Sequence, residues 1–237
     1  MHQRLQNLRA RIAKACEENG RHPDSVRLLP VSKTFSHERV QQAVQLGLTR
    51  FGENRAQDLR TRVEHFNNLS VATPPVKSGP RPDLEWVMIG HTQTNKAKEI
   101  ARYADELQSL DRWSLAEALH RRLQIEQRVL PVFVQIKTAR EETKFGLEPE
   151  ELLAFLTQLQ DLDTLQPVGL MTMATQTDDQ AEIRRCFAQL RQLREQAQAA
   201  GFTNIQRLSM GMSGDFELAI AEGATDIRVG SALFGER

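Results

Sequence analysis

The sequence is poor in the features that mark several classes of protein. It has two cysteines and one tyrosine among 237 residues, and it has no apolar run approaching the roughly 20 residues of a membrane-spanning helix. Lys+Arg and Asp+Glu are 31 each, so the chain lacks the basic excess that a nucleic-acid-binding surface requires. These absences argue against a membrane protein and against a partner made of nucleic acid.

The two cysteines, Cys16 and Cys186, fall in predicted helices with no Cys or His nearby at metal-ligand spacing. Such residues are typical of inert thiols in a reducing cytosol. The N-terminal segment "MHQRLQNLRARIAKACEENG" lacks the apolar core of a signal peptide. Its arginines resemble those of a transit peptide, but Glu17, Glu18 and the helical spacing of its apolar residues favour a packed amphipathic helix. The sequence therefore predicts a cytoplasmic protein.

Short apolar segments alternate with longer helical patterns along the whole chain. The predicted strands cover 27–32, 50–53, 85–90, 106–109, 130–136, 165–172, 205–209 and 225–230. After the N-terminal helix, the predicted helices lie near 36–46, 54–66, 95–103, 113–126, 149–160, 178–200 and 213–221. This alternation predicts an α/β fold, a single (β/α)₈ TIM-type barrel over residues 1–237 with an extra N-terminal helix.

Two features leave the number of strands open. Pro30, Pro131 and Pro167 fall inside or beside predicted strands, where proline is disfavoured because it has no N–H to donate. An open, doubly wound sheet is therefore the alternative fold. The segment 70–82, "SVATPPVKSGPRP", is predicted to be a loop before the third strand and not a linker between domains.

Polar residues gather where the predicted strands end, which is where barrels of this type carry their chemistry. The first strand ends at Lys33, the second runs into Asn54 and the third runs into His91. A lysine at the end of a buried strand is either a surface residue or a nucleophile at the open end of the sheet. The opposite strand ends carry no comparable concentration of polar residues.

The turns after the last two strands, "SMGMSGD" and "GSA", combine glycines and hydroxyls at helix starts. The recurrent phosphate site of this architecture lies after strands 7 and 8, beside a helix N-terminus. Ordinary helix capping explains either turn alone. The two together favour an anion cradle. Its parts are the Ser209 hydroxyl, the glycines Gly211 and Gly214, Ser213 as a helix N-cap, and Gly230 and Ser231 at the start of the last helix.

Arg228 is predicted to point into the barrel, because Ile227 and Val229 have the other strand parity and suit the helix-facing side. A buried guanidinium needs a partner, which is either an internal carboxylate such as Asp226 or Glu53 or an acceptor on a bound ligand. Partial desolvation of Lys33 near Arg228 would disfavour its ammonium form and free the amine for imine chemistry. A lysine, an anion cradle and an inward arginine at one mouth suit an aldehyde that carries a phosphate.

Several segments resemble the pyridoxal phosphate homeostasis proteins, the YggS/PROSC family. They are "LLPVSKTF", "RFGENRAQDL", "WVMIGHTQTNK", "EETKFGL", "GLMTMA" and "LSMGMSGDFELAIAEGATDIRVGSALFG". The resemblance runs from about residue 3 to the end. It implies a barrel like the N-terminal domain of alanine racemase, with pyridoxal 5′-phosphate (PLP) bound as an imine.

The resemblance also implies individual roles. Lys33 would form the covalent imine, and Arg228 would face the pyridine nitrogen of PLP. Asn54 and Met171 would line the ring. The phosphate would be held by Ser209, Gly230 and Ser231, with the turn at Gly211 nearby.

An arginine at the ring nitrogen bears on reactivity, because a guanidinium only donates and so keeps that nitrogen unprotonated. Such a ring is a poorer electron sink than the protonated form. Racemases that share this barrel use a second domain and a second base. Here Tyr103 fits a packing aromatic, and His91 fits either a hydrogen-bonding strut or an acid–base group.

The resemblance implies a protein of vitamin B6 and amino-acid homeostasis without an established reaction. We expect a monomeric carrier, reservoir or regulator that exchanges PLP with apo-enzymes. The alternatives are a PLP-dependent enzyme such as an amino-acid racemase, and a cofactor-free Schiff-base aldolase.

Overall fold

The computed structural model describes residues 1–72, 84–141 and 145–235. Its strands are β1 (Arg27–Pro30), β2 (Arg50–Glu53), β3 (Glu85–Met88), β4 (Glu106–Leu110), β5 (Leu130–Gln135), β6 (Leu165–Met171), β7 (Arg207–Ser209) and β8 (Asp226–Val229). Its helices are α1 (His2–Glu18), α2 (His37–Gln45), α3 (Ala56–Ala72), α4 (Ala97–Tyr103), α5 (Trp113–Glu126), α6 (Leu152–Leu159), α7 (Gln180–Ala199), α8 (Phe216–Ala221) and α9 (Ser231–Phe234).

The strands pair in parallel in the order β1-β8-β7-β6-β5-β4-β3-β2. The barrel closes between β1 and β2, where Val31 bridges to Gly52 and the Ser32 N–H donates to the Gly52 carbonyl at 3.0 Å. The predicted (β/α)₈ barrel is therefore confirmed, and the open sheet is excluded. Of the predicted loop 70–82, residues 70–72 belong to α3, and residues 73–82 lie outside the described residues.

Two of the three strand prolines lie at a strand end or at an irregular position of the sheet, whereas Pro131 pairs with Gln166 within β5. Pro30 pairs with Val229 at the end of β1, the last position of that strand. At Pro167 the pairing of β5 and β6 shifts by one residue, so that Val132 opposes Pro167 while Phe133 opposes Gly169. A bulge of this kind lets a strand tolerate a residue that cannot donate to the ladder.

The predicted N-terminal helix is confirmed as α1, which packs against α8 and α9. Its buried face consists of Leu5, Leu8, Ile12, Ala15 and Cys16. Arg11 at the edge of this face pairs with Glu217 at 2.6 Å. No helix in the described part of the chain combines the length and apolarity that a membrane crossing requires.

The amino-terminal half of the barrel interior holds a cluster of charged side chains. Asp226 accepts from Arg207 at 2.7 Å and from Arg27 at 3.0 Å, and Glu106 accepts from Arg207 at 2.6 Å and from Arg50 at 2.5 Å. Buried carboxylates are tolerated only when they are paired in this way. The cluster fills one end of the barrel and leaves the carboxyl ends of the strands for a cavity.

Candidate functional site

A cavity of ≈ 530 Å³ opens at the carboxyl ends of the strands. Its wall comes from the segments that follow β1, β2, β3, β6, β7 and β8, and from the end of β8 itself. The lining residues are Val31, Lys33, Phe35, Asn54, Ile89, Met173, Met212, Ser213, Gly214, Arg228, Gly230, Ser231 and Gly235. The structure thus brings Lys33, Arg228 and both glycine-bearing turns to one cavity.

The charge of this wall is of one sign. Lys33 and Arg228 are the charged side chains in the described lining, which includes no carboxylate. Hydroxyls of Ser213 and Ser231 add neutral donors, and the rest of the wall is largely apolar. A small pocket with convergent cations and apolar walls suits an anionic ligand that carries a flat or apolar body.

The two C-terminal turns lie against each other. The Ala232 N–H at the start of α9 donates to the Ser213 hydroxyl at 3.4 Å, which links the turn after β8 to the turn after β7. Gly214 has open space where a Cβ would lie, and a Cβ on Gly230 would approach the Val31 carbonyl to 3.5 Å. The backbone of both turns is therefore accessible from the cavity, as an anion cradle requires.

The turn that carries Lys33 is held by one buried arginine of α3. Arg62 donates through Nη2 to the carbonyls of Ser32, at 3.2 Å, and of Phe35. Its Nε donates to Glu53 at 3.1 Å, and Glu53 also accepts from the Ser32 hydroxyl at 2.6 Å. Between the two clamped carbonyls, Thr34 has φ of 68°, a left-handed conformation that is unfavourable for a β-branched residue. The clamp therefore holds the backbone on both sides of Thr34, in the turn that presents Lys33 to the cavity.

Burial shifts the titration of groups around this clamp. Desolvation raises the pKa of Glu53, and the hydrogen bond from Ser32 and the charge of Arg62 oppose that rise. Arg62 Nη1 lies 3.0 Å from Nδ1 of His37, whose ring stacks on His65 at 3.9 Å. Desolvation, followed by the charge of Arg62, lowers the pKa of His37. The neutral imidazole can then accept from Arg62.

Arg228 points inward, as predicted, and is 5% exposed. Neither of the carboxylates considered from the sequence is its direct partner: it donates to the Ser209 hydroxyl at 2.7 Å and to the Thr172 carbonyl at 2.8 Å. Because both acceptors are neutral, burial lowers the pKa of Arg228 to about 10. At neutral pH the guanidinium remains charged and faces the cavity.

Five of the eight predicted site residues line the cavity, namely Lys33, Asn54, Arg228, Gly230 and Ser231. Ser209, Gly211 and Met171 are absent from the described lining. Ser209 is fully buried and is hydrogen-bonded to Arg228 and to Gln108. Met171 is 1% exposed, and Met173 lines the cavity instead.

Gly211 has φ of 92°, and a Cβ there would lie 2.6 Å from that of Ala219. Its carbonyl accepts from the Arg228 N–H at 3.0 Å. This glycine therefore allows the close packing and the positive φ that the turn after β7 requires. Direct contacts of Gly211, Ser209 and Met171 with a ligand stay predictions.

His91 and Tyr103 also lie outside the described lining. His91 Nδ1 is 3.2 Å from an oxygen of Asp111, and its ring stacks on Phe145 with 3.7 Å between centroids. The Tyr103 hydroxyl donates to Glu64 on α3 at 2.8 Å. In the part of the chain that the structure describes, no group of His, Cys, Asp and Glu is arranged to hold a metal ion.

The clamp formed by Arg62 and Glu53 was not predicted from the sequence. Its one available signal was Glu53, a carboxylate at the end of a buried strand, which needs a cationic partner. Arg62 follows nine positions later in α3, where Arg60 is an exposed arginine two positions away, and nothing local distinguishes the two. The contribution of Ile89 and Met212 to the wall was missed for the same reason.

Comparison with known proteins gives consistent results. The family described as "Alanine racemase, N-terminal domain" matches residues 4–237. A pyridoxal phosphate homeostasis protein of Aquifex aeolicus is 37% identical over 235 residues, which are 99% of this chain and 97% of that protein. One from Pasteurella multocida is 36% identical over 236 residues, with coverage of 99% and 97%.

A solved structure agrees with these relatives. PipY of Synechococcus elongatus, determined with PLP bound, superposes with a TM-score of 0.80 at 35% identity, and the match covers 94% of this chain and 100% of PipY. The chain belongs to the family of pyridoxal phosphate homeostasis proteins, whose barrel is that of the alanine racemase N-terminal domain.

Proposed function

We propose that this protein binds PLP in the cavity at the carboxyl ends of the strands and acts in vitamin B6 and amino-acid homeostasis as a carrier, reservoir or regulator. The observation that carries the proposal is the convergence of Lys33, Arg228 and two glycine-bearing turns on one ≈ 530 Å³ cavity. The names of the relatives and the PLP-bound structure of PipY support it.

The lining fits the chemistry of this group. PLP supplies an aldehyde that bonds reversibly to a primary amine, and Lys33 is the amine on the cavity wall. We propose that Lys33 holds the cofactor as a covalent imine and that Arg228 donates to its ring nitrogen. Gly230 and Ser231 would bind the phosphate together with Ser213 and Gly214, while Asn54 would contact the ring.

Three residues predicted from the sequence to touch the cofactor receive supporting roles in this proposal. Ser209 would act through Arg228, to which it is hydrogen-bonded. Gly211 would shape the turn that presents Ser213 and Gly214. Met171 would pack below Met173, which lines the cavity.

The same wall supports a role without catalysis. Moving a proton on a bound amino acid requires a positioned acid or base in addition to the group that forms the imine. Beside Lys33 and Arg228, the described lining offers no acid–base side chain. Arg228 only donates, so a ring nitrogen facing it would stay unprotonated. We propose that the residues 1–237 act as one domain, in the cytoplasm and as a monomer, and that apo-enzymes receive the cofactor.

The imine is tested directly. The protein is mixed with PLP, the visible absorbance is recorded, and the adduct is reduced with borohydride and located by peptide mapping. We expect the label on Lys33, and we expect Lys33→Ala to abolish the chromophore with an unchanged circular dichroism spectrum. Lys137→Ala is the matched control, because Lys137 pairs with Glu148 at 3.0 Å and lies outside the described lining.

A colourless wild-type protein at saturating PLP, or a label on another lysine, would contradict the proposed site. The carrier role is tested by following PLP from the loaded protein to an apo-enzyme. Solvent deuterium incorporated at the α-carbon of any amino acid, and lost in Lys33→Ala, would instead show a racemase-like enzyme. Activity on phosphosugars without PLP would show an aldolase.

A further inference from the structure

A continuous series of hydrogen bonds connects Arg228 to the cluster of charged side chains inside the barrel. Arg228 Nη1 lies 2.7 Å from Ser209 Oγ, which lies 2.6 Å from Gln108 Oε1. Gln108 Nε2 in turn lies 2.7 Å from Glu106 Oε1. Ser209 and Gln108 are fully buried. The series crosses the interior from β8 through β7 to β4.

The groups at the two ends of this hydrogen-bond series determine which partner donates and which accepts at each step. The Glu106 carboxylate already accepts from Arg50 and Arg207, and an ionised carboxylate only accepts. The amide NH₂ of Gln108 must therefore face Glu106, which turns the amide oxygen towards Ser209. The single hydroxyl proton of Ser209 is then donated to Gln108. This leaves the Ser209 oxygen with lone pairs for Arg228.

The opposite orientation of either middle residue would bring two donors or two acceptors together. If Gln108 presented its NH₂ to Ser209, the hydroxyl proton of Ser209 would have to turn away towards Arg228, which itself only donates. Buried polar groups without a partner are costly. Gln108 therefore determines that Ser209 is an acceptor towards Arg228.

This acceptor fixes the plane of the guanidinium. Arg228 is held at Nη1 by Ser209 and at Nη2 by the Thr172 carbonyl, at 2.8 Å. A guanidinium has five N–H donors in a rigid fork, so these two contacts leave donors for the cavity that Arg228 lines. With only Thr172 as anchor, the guanidinium would rotate about that single contact.

We propose that Gln108 and Ser209 are positioning residues that orient Arg228 towards the ring nitrogen of bound PLP. This inference rests on the proposed function. It gives Ser209, predicted from the sequence as a phosphate ligand, a role that acts through Arg228. It also assigns a role to Gln108, which lies in β4 away from the segments recognised in the sequence.

The test compares two ligands that differ only at the ring nitrogen, PLP and its analogue with a C–H in that place. Both carry the aldehyde and the phosphate, so both engage Lys33 and the anion cradle. Equilibrium affinity is measured by titrating the full-length protein and following the imine absorbance. The variants are Gln108→Leu, Ser209→Ala and Arg228→Met.

The matched control is Ser109→Ala. Ser109 neighbours Gln108 on β4 and is also fully buried, but its hydroxyl donates to the Gly90 carbonyl at 2.7 Å. It tests whether loss of any buried hydrogen bond in this strand has the same effect. We expect it to leave the ratio of the two affinities at the wild-type value.

We expect Gln108→Leu and Ser209→Ala to lower the affinity for PLP about tenfold and to leave the affinity for the carbon analogue unchanged, since one hydrogen bond to a charged group is misplaced. In the Arg228→Met background, Gln108→Leu should have no further effect on the ratio, because coupled residues are not additive. Should Gln108→Leu fail to fold, Ser209→Ala carries the same expectation.

Two outcomes would overturn the inference and leave the proposed function standing. One is that wild-type protein binds PLP and the carbon analogue equally well. The other is that Gln108→Leu and Ser209→Ala keep the wild-type ratio of affinities. A wild-type protein that binds neither ligand would instead overturn the proposed function, on which the inference depends.

Discussion

Replacing Arg62 by methionine should both destabilise the barrel and slow imine formation at Lys33. Arg62 is 6% exposed, and its side chain holds Glu53 and the carbonyls of Ser32 and Phe35. Without it, Glu53 keeps only the Ser32 hydroxyl, and its second oxygen already has no hydrogen-bond partner among the described residues. Removing one member of a buried ion pair costs about 3–5 kcal/mol.

A second effect comes from the backbone of the clamped turn. A left-handed residue such as Thr34 costs roughly 1–2 kcal/mol, and the two carbonyls bound by Arg62 flank it. Once they are released, the turn can relax and move the Lys33 amine away from the cavity. Arg62→Met should therefore slow imine formation under conditions in which the variant is still folded.

Urea unfolding followed by circular dichroism gives the change in the free energy of unfolding, and stopped-flow absorbance gives the rate of imine formation. The control is Arg60→Met, which removes an exposed arginine of the same helix that pairs with Glu64 at 2.9 Å. We expect Arg60→Met to change neither quantity. Glu53→Gln in the Arg62→Met background should recover stability, because it removes the unpaired charge.

Equal stability of Arg62→Met and Arg60→Met would refute the proposed clamp. A double variant no more stable than Arg62→Met alone would refute the explanation by an unpaired carboxylate. If Arg62→Met loses the expected stability but its folded form keeps the wild-type rate of imine formation, the ion pair supports the fold and not the Lys33 turn.

Two further predictions concern close packing and pH. Gly169→Ala should lower the free energy of unfolding by about 1–3 kcal/mol, because its Cβ would lie 2.2 Å from the Arg207 carbonyl across the β6–β7 pair; urea unfolding measures this, and unchanged stability would contradict it. Desolvation and the charge of Arg62 lower the pKa of His37, so the unfolded chain binds a proton more readily than the folded one. Stability should therefore fall as the pH drops below about 6.5, and His37→Gln should weaken this dependence; an identical pH profile in the variant would contradict the assignment.

The fold could be predicted because parallel barrel strands are buried on both faces and therefore appear as short apolar runs between helices. The predicted segments 50–53 and 106–109 agree with β2 and β4 to within one residue. Helix starts were predicted less accurately. The helix predicted at 213–221 corresponds to α8, which begins at Phe216. Residues 213–215 form the turn that faces the cavity, and their glycine and serine suit a turn and a helix cap equally well.

The role proposed for Ser209 could not be predicted from its position next to a glycine-bearing turn. Strand parity offered a signal, since Arg207 and Ser209 point to the same side of β7 and Leu208 to the other. The parity argument that placed Arg228 inside the barrel would have placed Ser209 there too. Its partner Gln108 lies 101 positions away on β4, however, and only the closed barrel brings the two together.

The neutral partners of Arg228 explain how a buried cation can serve an anionic ligand. A carboxylate in direct contact would satisfy the guanidinium and compensate its charge, leaving little for a ligand. Ser209 and Thr172 instead hold the group while its charge remains uncompensated at the contact, and Asp215 and Asp226 stabilise it only from a distance. The cost is the lowered pKa of about 10, which still leaves the group charged at neutral pH. The charge that burial makes unfavourable is therefore one that a phosphate-bearing ligand would compensate on binding.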